Sequence, residues 1–257
     1  MTADAIVIGG GIVGASLAYH LVKGGINTLL IDRHDSGRAT DAGAGILSPE
    51  TSSTTSDDWY RLGINAFAYY HPLIEALNKE QALTTGFERC GLLRLAVSDD
   101  ELAPYEESRQ LVFGRQRAYQ YPSVSDLYEV TAAQAAALFP ALAPVQKAFY
   151  HHSAARVDGR LLTDALTAAA LNQGLTVHHK NVEQLLIKAG RVTGVVADGE
   201  TFTADQVAIA GGAWSAAFEE QAGLKIPVAP QRGQIIHLQL DVETAAWPVL
   251  HPFHGHY

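Results

Sequence analysis

A glycine triplet near the start of the chain has the spacing best suited to a chemical role. A short apolar run, residues 5–8, leads into Gly9, and Gly9, Gly11 and Gly14 fit the pattern G-x-G-x-x-G. In that pattern the first glycine permits a tight turn, the second lets backbone approach a pyrophosphate, and the third lets a helix pack on its strand. N–H groups at the start of the helix then face the anion. The spacing predicts a strand, a phosphate-binding turn and a helix that bind a dinucleotide.

A carboxylate follows the triplet at the distance that such a motif requires. Asp32 stands about 20 residues further on, at the end of a second largely apolar run. A carboxylate at this point holds the hydroxyl groups of an adenosine ribose. The order of triplet, apolar run and carboxylate therefore strengthens the prediction of a dinucleotide site.

The composition limits the class of protein. The chain has 257 residues, 47% of them hydrophobic, a formal net charge of −9 and one cysteine, Cys90. The negative charge argues against a nucleic-acid partner. No apolar run approaches the roughly 20 residues that span a bilayer, and no basic segment precedes the first strand. We therefore expect a cytoplasmic globular protein without a disulfide, in which Cys90 is buried packing.

The first half of the chain reads as alternating helices and loops. Residues 33–55 form a polar, glycine-rich stretch that we expect to lie outside the core. Residues 56–58 are typical of a helix start, and Pro72 is expected to kink or divide the helix that follows. Residues 87–97 predict one strand.

Two capping boxes mark further helix starts in the same half. Ser98 is followed three residues later by Glu101, and Thr131 by Gln134. We expect the acidic group around Glu101 to be a solvated helix start. These mixed elements lack a dinucleotide motif, and they are the candidate substrate-binding layer.

The second half predicts a return to the first sheet. An apolar stripe over 161–171 predicts a helix, and residues 175–179 predict a strand that extends the sheet. Four short runs within 182–210 predict an antiparallel meander. Gly211-Gly212 then resembles a second turn that brings backbone close to the cofactor, and the stretch 228–240 is predicted to contain another strand that begins near Gly233.

In this order the motifs resemble the flavin-dependent amine and amino-acid oxidoreductases of the D-amino-acid oxidase, glycine oxidase and sarcosine oxidase group. The resemblance covers nearly the whole chain. It is carried by the triplet with Asp32 and by five later segments, 38–46, 155–161, the meander from Val182, 210–214 and 230–234. It implies an α/β fold in which a Rossmann-like FAD-binding domain, with a parallel sheet and an antiparallel β-meander, is interleaved with an α+β substrate domain. The implied boundaries are 1–84 and 151–225 for the FAD-binding domain, and 85–150 and 226–257 for an incomplete substrate domain.

The same resemblance implies where FAD binds. The pyrophosphate would lie at the glycine turn, the ribose at Asp32, the flavin near residues 40–46, and the adenine at the backbone of Val182. Asp32 stands where the family commonly has glutamate, and either carboxylate accepts ribose hydroxyl groups. The implied cofactor-binding residues are Gly9, Gly11, Ile12, Val13, Gly14, Asp32, Arg33, Thr40, Ala42, Gly43, Gly45, Ile46, Val182, Gly211, Gly212 and Trp214.

The implied reaction oxidises the C–N bond of a small amine or amino acid such as glycine, sarcosine or a D-amino acid. Hydride passes to flavin N5, and water hydrolyses the resulting imine. Because the flavin does the difficult chemistry, no catalytic residue is identified from the sequence. Arg94, Arg156 and Arg232 are candidates for pairing with a substrate carboxylate, with surface salt bridges as the alternative role.

Two other functions fit part of the pattern. An NAD-linked dehydrogenase shares the triplet and Asp32, although the long polar loop and the late meander disfavour it. A non-catalytic flavin-binding subunit or fragment is the second alternative, because chains of the resembled family continue beyond the point corresponding to Tyr257. On that view we expect an open cofactor site and an unpaired sheet edge that favours a homo-oligomer or a partner chain.

The histidines predict no metal site. His251, His254 and His256 lie in a predicted loop without a cysteine or carboxylate at ligand spacing. The pairs His151-His152 and His178-His179 fall on predicted strands, where alternation places one of each pair outside.

Overall fold

A computed structural model describes residues 2–233 and 235–253. The chain divides into two compact units. The first unit consists of Met1–Gly43, Ile74–Gly86 and Asp158–Gly233, and the second of Ala44–Leu73, Phe87–Val157 and Gln234–Tyr257.

The elements alternate along most of the chain. The strands are β1 Thr2–Ile8, β2 Thr28–Ile31, β3 Ile46–Leu47, β4 Phe87–Arg89, β5 Leu92–Ala96, β6 Leu127–Val130, β7 Lys147–His151, β8 Ala155–Val157, β9 Thr176–His178, β10 Val182–Lys188, β11 Arg191–Ala197, β12 Glu200–Ile209 and β13 Val249–Pro252. The α-helices are α1 Ile12–Lys23, α2 Ala39–Ala42, α3 Asp57–Glu80, α4 Leu102–Tyr119, α5 Ala132–Leu138, α6 Gly159–Asn172 and α7 Glu219–Ala222. Short 3-10 helices cover Pro49–Thr51, Asp99–Glu101 and Gly212–Phe218.

The first unit is built on a six-stranded sheet in the order β10-β11-β12-β1-β2-β9. Strands β12, β1, β2 and β9 run parallel, and β10, β11 and β12 form an antiparallel meander. The predicted helix and extending strand are confirmed as α6 and β9. The meander is confirmed with one change, because residues 201–203 and 206–210 belong to the single strand β12. Apolar side chains such as Ile6, Leu29 and Val195 form the core of this unit.

The second unit contains two smaller sheets. A four-stranded sheet has the order β13-β5-β7-β6, with β5, β7 and β6 antiparallel and β13 parallel to β5. A three-stranded antiparallel sheet has the order β3-β8-β4. Together with the first unit, these mixed sheets confirm the α/β class.

The prediction of one strand over 87–97 is wrong, because the segment forms β4 and β5 in two different sheets. Gly91 lies between them with φ +75°, and a Cβ on it would stand 2.2 Å from Tyr150 Oη. Its N–H donates to Ala154 O at 2.8 Å. The turn therefore depends on a long-range contact that the local apolar pattern does not encode.

Of the two expected effects of Pro72, a kink or a division of the helix, division is not found, because α3 runs through the proline. Proline removes one backbone hydrogen bond from a helix interior. Leu73 and Leu77, which follow it, are both buried, and burial of such side chains outweighs the loss.

Both capping boxes are confirmed. They stand at the 3-10 turn before α4 and at the start of α5. Asp99 and Asp100 are exposed, as expected of a solvated helix start, whereas Glu101 is buried. Its Oε2 accepts hydrogen bonds from Val97 N and Ser98 N, which makes the burial tolerable.

Three further expectations from the sequence are wrong, because each depended on contacts that the sequence does not show. The 33–55 stretch is not wholly outside the core, because Glu50 and Thr51 are buried. The described residues of 228–240 form no strand, and Ile236 and Leu238 are exposed, because an alternating pattern makes a strand only beside a pairing neighbour. His251 lies in β13 rather than in a loop.

No helix in the described part of the chain has both the length and the apolarity needed to cross a membrane.

Candidate functional site

The glycine turn is held by backbone on both sides. Gly9 has φ +103°, and a Cβ on it would lie 2.5 Å from Ala210 O and 3.0 Å from Gly211 Cα. Gly9 N donates to Ile31 O at 2.8 Å, and Ala210 N donates to Ile8 O at 2.7 Å. The structure thus brings together the first and the last glycine segments of the candidate site.

Gly14 fixes the distance between α1 and the turn. A Cβ on Gly14 would lie 1.8 Å from Gly9 O and 3.3 Å from Ala210 Cβ. No side chain fits there without moving backbone. The third glycine therefore allows the close packing of helix on strand that its spacing predicts.

The start of α1 offers N–H groups beside a hydroxyl. Thr40 Oγ1 accepts a hydrogen bond from Ile12 N at 3.0 Å, and the same oxygen would lie 3.0 Å from a Cβ on Gly11. The N–H groups of Val13 and Gly14 have no acceptor within a helix that starts at Ile12. Such N–H groups, together with the positive end of the helix dipole, attract an anion.

Asp32 has a second role that its spacing does not reveal. Its Oδ2 accepts a hydrogen bond from Gly10 N at 2.6 Å, and its Oδ1 accepts one from His34 N at 2.8 Å. A Cβ on Gly10 would lie 3.0 Å from the Asp32 carboxyl carbon. The carboxylate therefore holds the glycine turn in place, and a side chain at Gly10 would press against it.

Arg38 is a residue of this site that sequence reasoning missed. Its Nη1 lies 3.9 Å from Asp32 Oδ1, and its Nη2 pairs with Asp41 Oδ1 at 3.2 Å. Nothing in the spacing of the motif distinguishes this arginine from Arg33, the other arginine of the loop. Only the folding of α2 back toward the turn brings it near Asp32.

The implied nucleotide residues of the first unit gather at one edge of its sheet. Strands β12, β1 and β2 are parallel, so the segments after them, which begin with Ala210, Gly9 and Asp32, share the carboxyl edge. In open α/β sheets ligands bind outside this edge. Arg33 and Trp214 also meet here, with the guanidinium 5.5 Å from the ring centre and the ring half exposed.

Other implied residues lie apart from this turn. Gly212 has φ +55° at the start of its 3-10 helix, while Ala42 and Gly43 are exposed at the end of α2. Val182 begins β10, with β11 and β12 between it and β1, and its side chain packs on the core. A role for Val182 therefore depends on its backbone, as the resemblance implies.

Gly45 and Ile46 belong to the second unit. Gly45 has φ +64°, a Cβ on it would lie 1.8 Å from Val157 O, and its own carbonyl accepts from Val157 N at 2.9 Å. Ile46 pairs with Arg156 between β3 and β8 and keeps an exposed side chain. This part of the loop is a fixed backbone position.

A buried polar cluster in the second unit was also missed. His151 Nδ1 lies 2.8 Å from Ser48 Oγ and 3.8 Å from Glu50 Oε2, and its Nε2 lies 3.3 Å from Asp126 Oδ2. Tyr121 Oη donates to Glu50 Oε1 at 3.0 Å. The sequence indicates only that one of His151-His152 faces inward, which is confirmed.

Burial sets the protonation of this cluster. Desolvation raises the pKa of Glu50 to about 7, and the nearby Asp126 charge acts in the same direction. Desolvation lowers the pKa of His151 to about 4, against the opposing attraction of Asp126. Between those values both groups are neutral, so the cluster holds a carboxylic acid beside an uncharged imidazole.

The three candidate arginines differ in their surroundings. Arg156 forms an exposed ion pair with Glu88 at 2.5 Å, which fits the surface role. Arg232 is exposed. Arg94, by contrast, is buried in β5, and desolvation lowers the pKa of its guanidinium to about 10.

No metal site is found in the described chain, which holds no group of three histidine, cysteine or acidic side chains arranged to bind one. His254 and His256 of the histidine cluster lie outside the described residues. Cys90 is free and half-buried, and desolvation raises the pKa of its thiol.

Known proteins share this architecture. Residues 4–257 match the family described as DAO, FAD dependent oxidoreductase. An uncharacterized oxidoreductase, YurR of Bacillus subtilis (strain 168), is 38% identical over 248 residues, which are 96% of this chain and 65% of that protein. The crystal structure of iminodiacetate oxidase from Chelativorans sp. BNC1 is 36% identical with a TM-score of 0.87, covering 97% of this chain and 66% of that one.

A further solved structure is more distant. Glycine oxidase from Geobacillus kaustophilus is 25% identical with a TM-score of 0.78, covering 89% of this chain and 60% of that one. The chain thus spans less than two thirds of the length of each of these relatives. Because the family match covers almost every residue and agrees with the glycine turn, the chain belongs to the DAO family of FAD-dependent oxidoreductases.

Proposed function

We propose that the first unit binds FAD and that the protein oxidises the C–N bond of a small amine or amino acid of the glycine, sarcosine or D-amino-acid type. The observation that carries the proposal is the convergence at the carboxyl edge of the first sheet. There Gly9 touches Ala210, Gly14 touches Gly9, and Asp32 holds Gly10. The family to which the chain belongs uses FAD, and its members named above include oxidases of glycine and iminodiacetate.

The residues present fit the parts of FAD. The start of α1 with Thr40 would hold the pyrophosphate, and Asp32 keeps lone pairs for ribose hydroxyl groups beyond its bonds to Gly10 and His34. We further propose Arg33, Trp214, Gly211, Gly212 and the backbone of Val182 for the nucleotide, and Ala42, Gly43, Gly45 and Ile46 for the flavin. Bound FAD would supply the acceptor for a hydride from the substrate carbon. We also propose that residues 1–84 and 151–225 form the FAD-binding domain and that residues 85–150 and 226–257 form the substrate domain.

The proposed contribution of the protein itself is to position the cofactor and the substrate. The backbone at Gly45 lies close against Val157, whose N–H donates to the Gly45 carbonyl, and we propose that this contact also orients the N–H groups of the loop. Preorganised N–H donors stabilise negative charge without reorganising. A loop of this kind suits the negative charge that a reduced flavin carries.

The test is a visible absorption spectrum of the purified chain, followed by acid precipitation. Released yellow FAD, or uptake of added FAD with a shifted spectrum, would support the proposal. Anaerobic bleaching by glycine, sarcosine or D-amino acids would then identify the substrate class. Bound FAD without bleaching by any amine would instead favour a flavin-binding subunit. A colourless chain that binds NADH but does not bind added FAD would contradict the FAD proposal and favour an NAD-linked protein.

Replacement of Asp32 should weaken FAD binding selectively. In Asp32→Asn the charge-assisted bonds to ribose hydroxyl groups and to Gly10 N are lost or weakened, and each such bond contributes about 1.5–3 kcal/mol. We expect FAD to dissociate about 10 to 100 times more readily, measured by quenching of flavin fluorescence. Asp205→Asn is the matched control, because Asp205 is exposed in β12. Equal affinity of the Asp32→Asn variant and wild type would remove Asp32 from the site.

A further inference from the structure

We propose that Arg94, together with His251, binds the carboxylate of a small organic acid in a cleft of the second unit. If the proposed function is correct, that acid is the amino-acid substrate. The cleft, which we call the Arg94 cleft, is lined by residues of β3, of the segment after it, of α3, of β5 and of β13. Every residue of the argument lies within the second unit.

Arg94 is a buried cation for which residues 2–233 and 235–253 provide no anionic partner. Its relative exposure is 7%, and it takes part in none of the ion pairs found in the described part of the chain. Its Nε is buried without a hydrogen-bond partner there. Burial of an unpaired charge is unfavourable, and a bound carboxylate would relieve it.

The other buried arginine of this unit shows what a structural role looks like. Arg115 donates to the carbonyl oxygens of Ser52, at 3.2 Å, and Thr54, and its guanidinium stacks on Tyr60 at 4.5 Å. Arg115 thus ties a loop to a helix through neutral acceptors. Arg94 instead has one described hydrogen-bond acceptor, a histidine nitrogen, and lies over the Phe253 ring at 4.4 Å.

The contact between Arg94 and His251 fixes the histidine as a second donor. Arg94 Nη1 lies 2.6 Å from His251 Nδ1, and only a neutral imidazole accepts there. Partial desolvation of the ring lowers the pKa of His251, and the charge of Arg94 lowers it further. The proton of the neutral ring is then on Nε2, which supplies an N–H donor beside the guanidinium.

The cleft has the size and lining of a small-molecule site. Its volume is about 460 Å³, within the range of about 300–1,000 Å³ typical of such sites. Arg94 and His251 lie in it with aromatic side chains and hydroxyl groups, among them Trp59, Phe67, Tyr70 and Ser48. Along β5, Leu93 and Leu95 pack in a core cluster, while Leu92 and Arg94 line the cleft. A single cationic group in a largely apolar lining is suited to a ligand that has a carboxylate and a short hydrocarbon chain.

The test compares two ligands of the same shape, propionate and its neutral amide propionamide. Binding to the 257-residue chain is followed by ligand-detected NMR at fixed ionic strength and pH 7. Wild type should bind propionate at least tenfold more tightly than propionamide. Arg94→Met should weaken propionate about 10 to 100 times and leave propionamide unchanged. Arg89→Met, which removes an exposed arginine of β4, should leave both affinities unchanged.

Two more variants decide the matter if Arg94→Met does not fold. Arg94→Lys retains the charge and should keep a reduced preference for propionate. Ala66→Leu keeps the arginine but fills the cleft from α3, and should weaken both ligands. Equal binding of the two ligands by wild type, or unchanged propionate binding by folded Arg94→Met or by Ala66→Leu, would overturn the proposal.

The measurement also separates this inference from the proposed function, because neither ligand requires a flavin. Propionate selectivity in a chain that takes up no FAD would leave the carboxylate site standing and remove the oxidase proposal. FAD uptake without propionate selectivity would overturn the carboxylate site and leave the oxidase proposal standing.

Discussion

Replacement of Gly14 by alanine is expected to destabilise the first unit by about 3 kcal/mol or more and to abolish FAD uptake. The added Cβ would stand 1.8 Å from Gly9 O, and Gly9 is backbone that is held in place by its own hydrogen bond to Ile31 O. Overpacking of a well-packed site costs about 1–3 kcal/mol when side chains can adjust, and here backbone must move. Against a total stability of about 5–15 kcal/mol this is a large fraction.

The loss of FAD binding follows from the same displacement. Moving α1 away from Gly9 also displaces the N–H groups of Val13 and Gly14. It disturbs the hydrogen bond that Ile12 N donates to the Thr40 hydroxyl. Denaturant unfolding gives the stability, and titration with FAD gives the affinity. A Gly14→Ala protein with wild-type stability and FAD affinity would contradict the close packing described here.

Gly114→Ala is the matched control for this substitution. Gly114 lies inside α4, and a Cβ on it would meet no atom within 4 Å. Alanine is favoured over glycine in a helix interior by about 0.5–1 kcal/mol. The control should therefore be slightly more stable than wild type, which distinguishes the clash at Gly14 from a general effect of replacing glycine.

Glu50→Gln is expected to stabilise the protein at alkaline pH by about 3 kcal/mol relative to wild type. Burial raises the pKa of Glu50 to about 7 from an ordinary value of 4.5, so the folded protein holds its proton where the unfolded chain has released it. The contribution of Glu50 is fully present below about pH 4.5 and is lost as pH rises through about 7. Each pKa unit corresponds to about 1.4 kcal/mol.

The glutamine variant does not lose stability in this way, because its side chain does not ionise. Its stability advantage over wild type should be smallest near pH 4.5 and should grow until about pH 8, as measured by urea unfolding at several pH values. Glu107→Gln, at an exposed position of α4, is the control and should show little difference at any pH. An advantage that does not change with pH would mean that Glu50 is not protonated in the folded protein.

His151 makes the stability of the folded protein change with pH in the opposite direction. Its pKa is lowered to about 4, so its contribution is present above about pH 6.5 and is lost as pH falls through about 4. In wild type the slopes of Glu50 and His151 largely cancel between about pH 4.5 and 6.5. Removing Glu50 should therefore reveal a stability that rises with pH over that interval.

The sequence by itself determined the features that depend on near neighbours in the chain. The triplet from Gly9 to Gly14, the first strand and helix, the two capping boxes and the hairpins of the meander follow from backbone conformation and local periodicity. These requirements act within a few residues, and so they are readable from spacing. The family resemblance followed from the same motifs in their order.

Only the tertiary structure decided the properties that depend on what packs against a residue from far along the chain. The break at Gly91 depends on Tyr150, the burial of Glu50 on Tyr121 and His151, and the second role of Asp32 on the position of Gly10. Arg94 looks like any other arginine in the sequence, yet it is buried with no carboxylate partner among the described residues, which sets it apart from Arg156. Desolvation and long-range pairing are properties of the packed molecule, and they determine which polar groups are charged and which have partners.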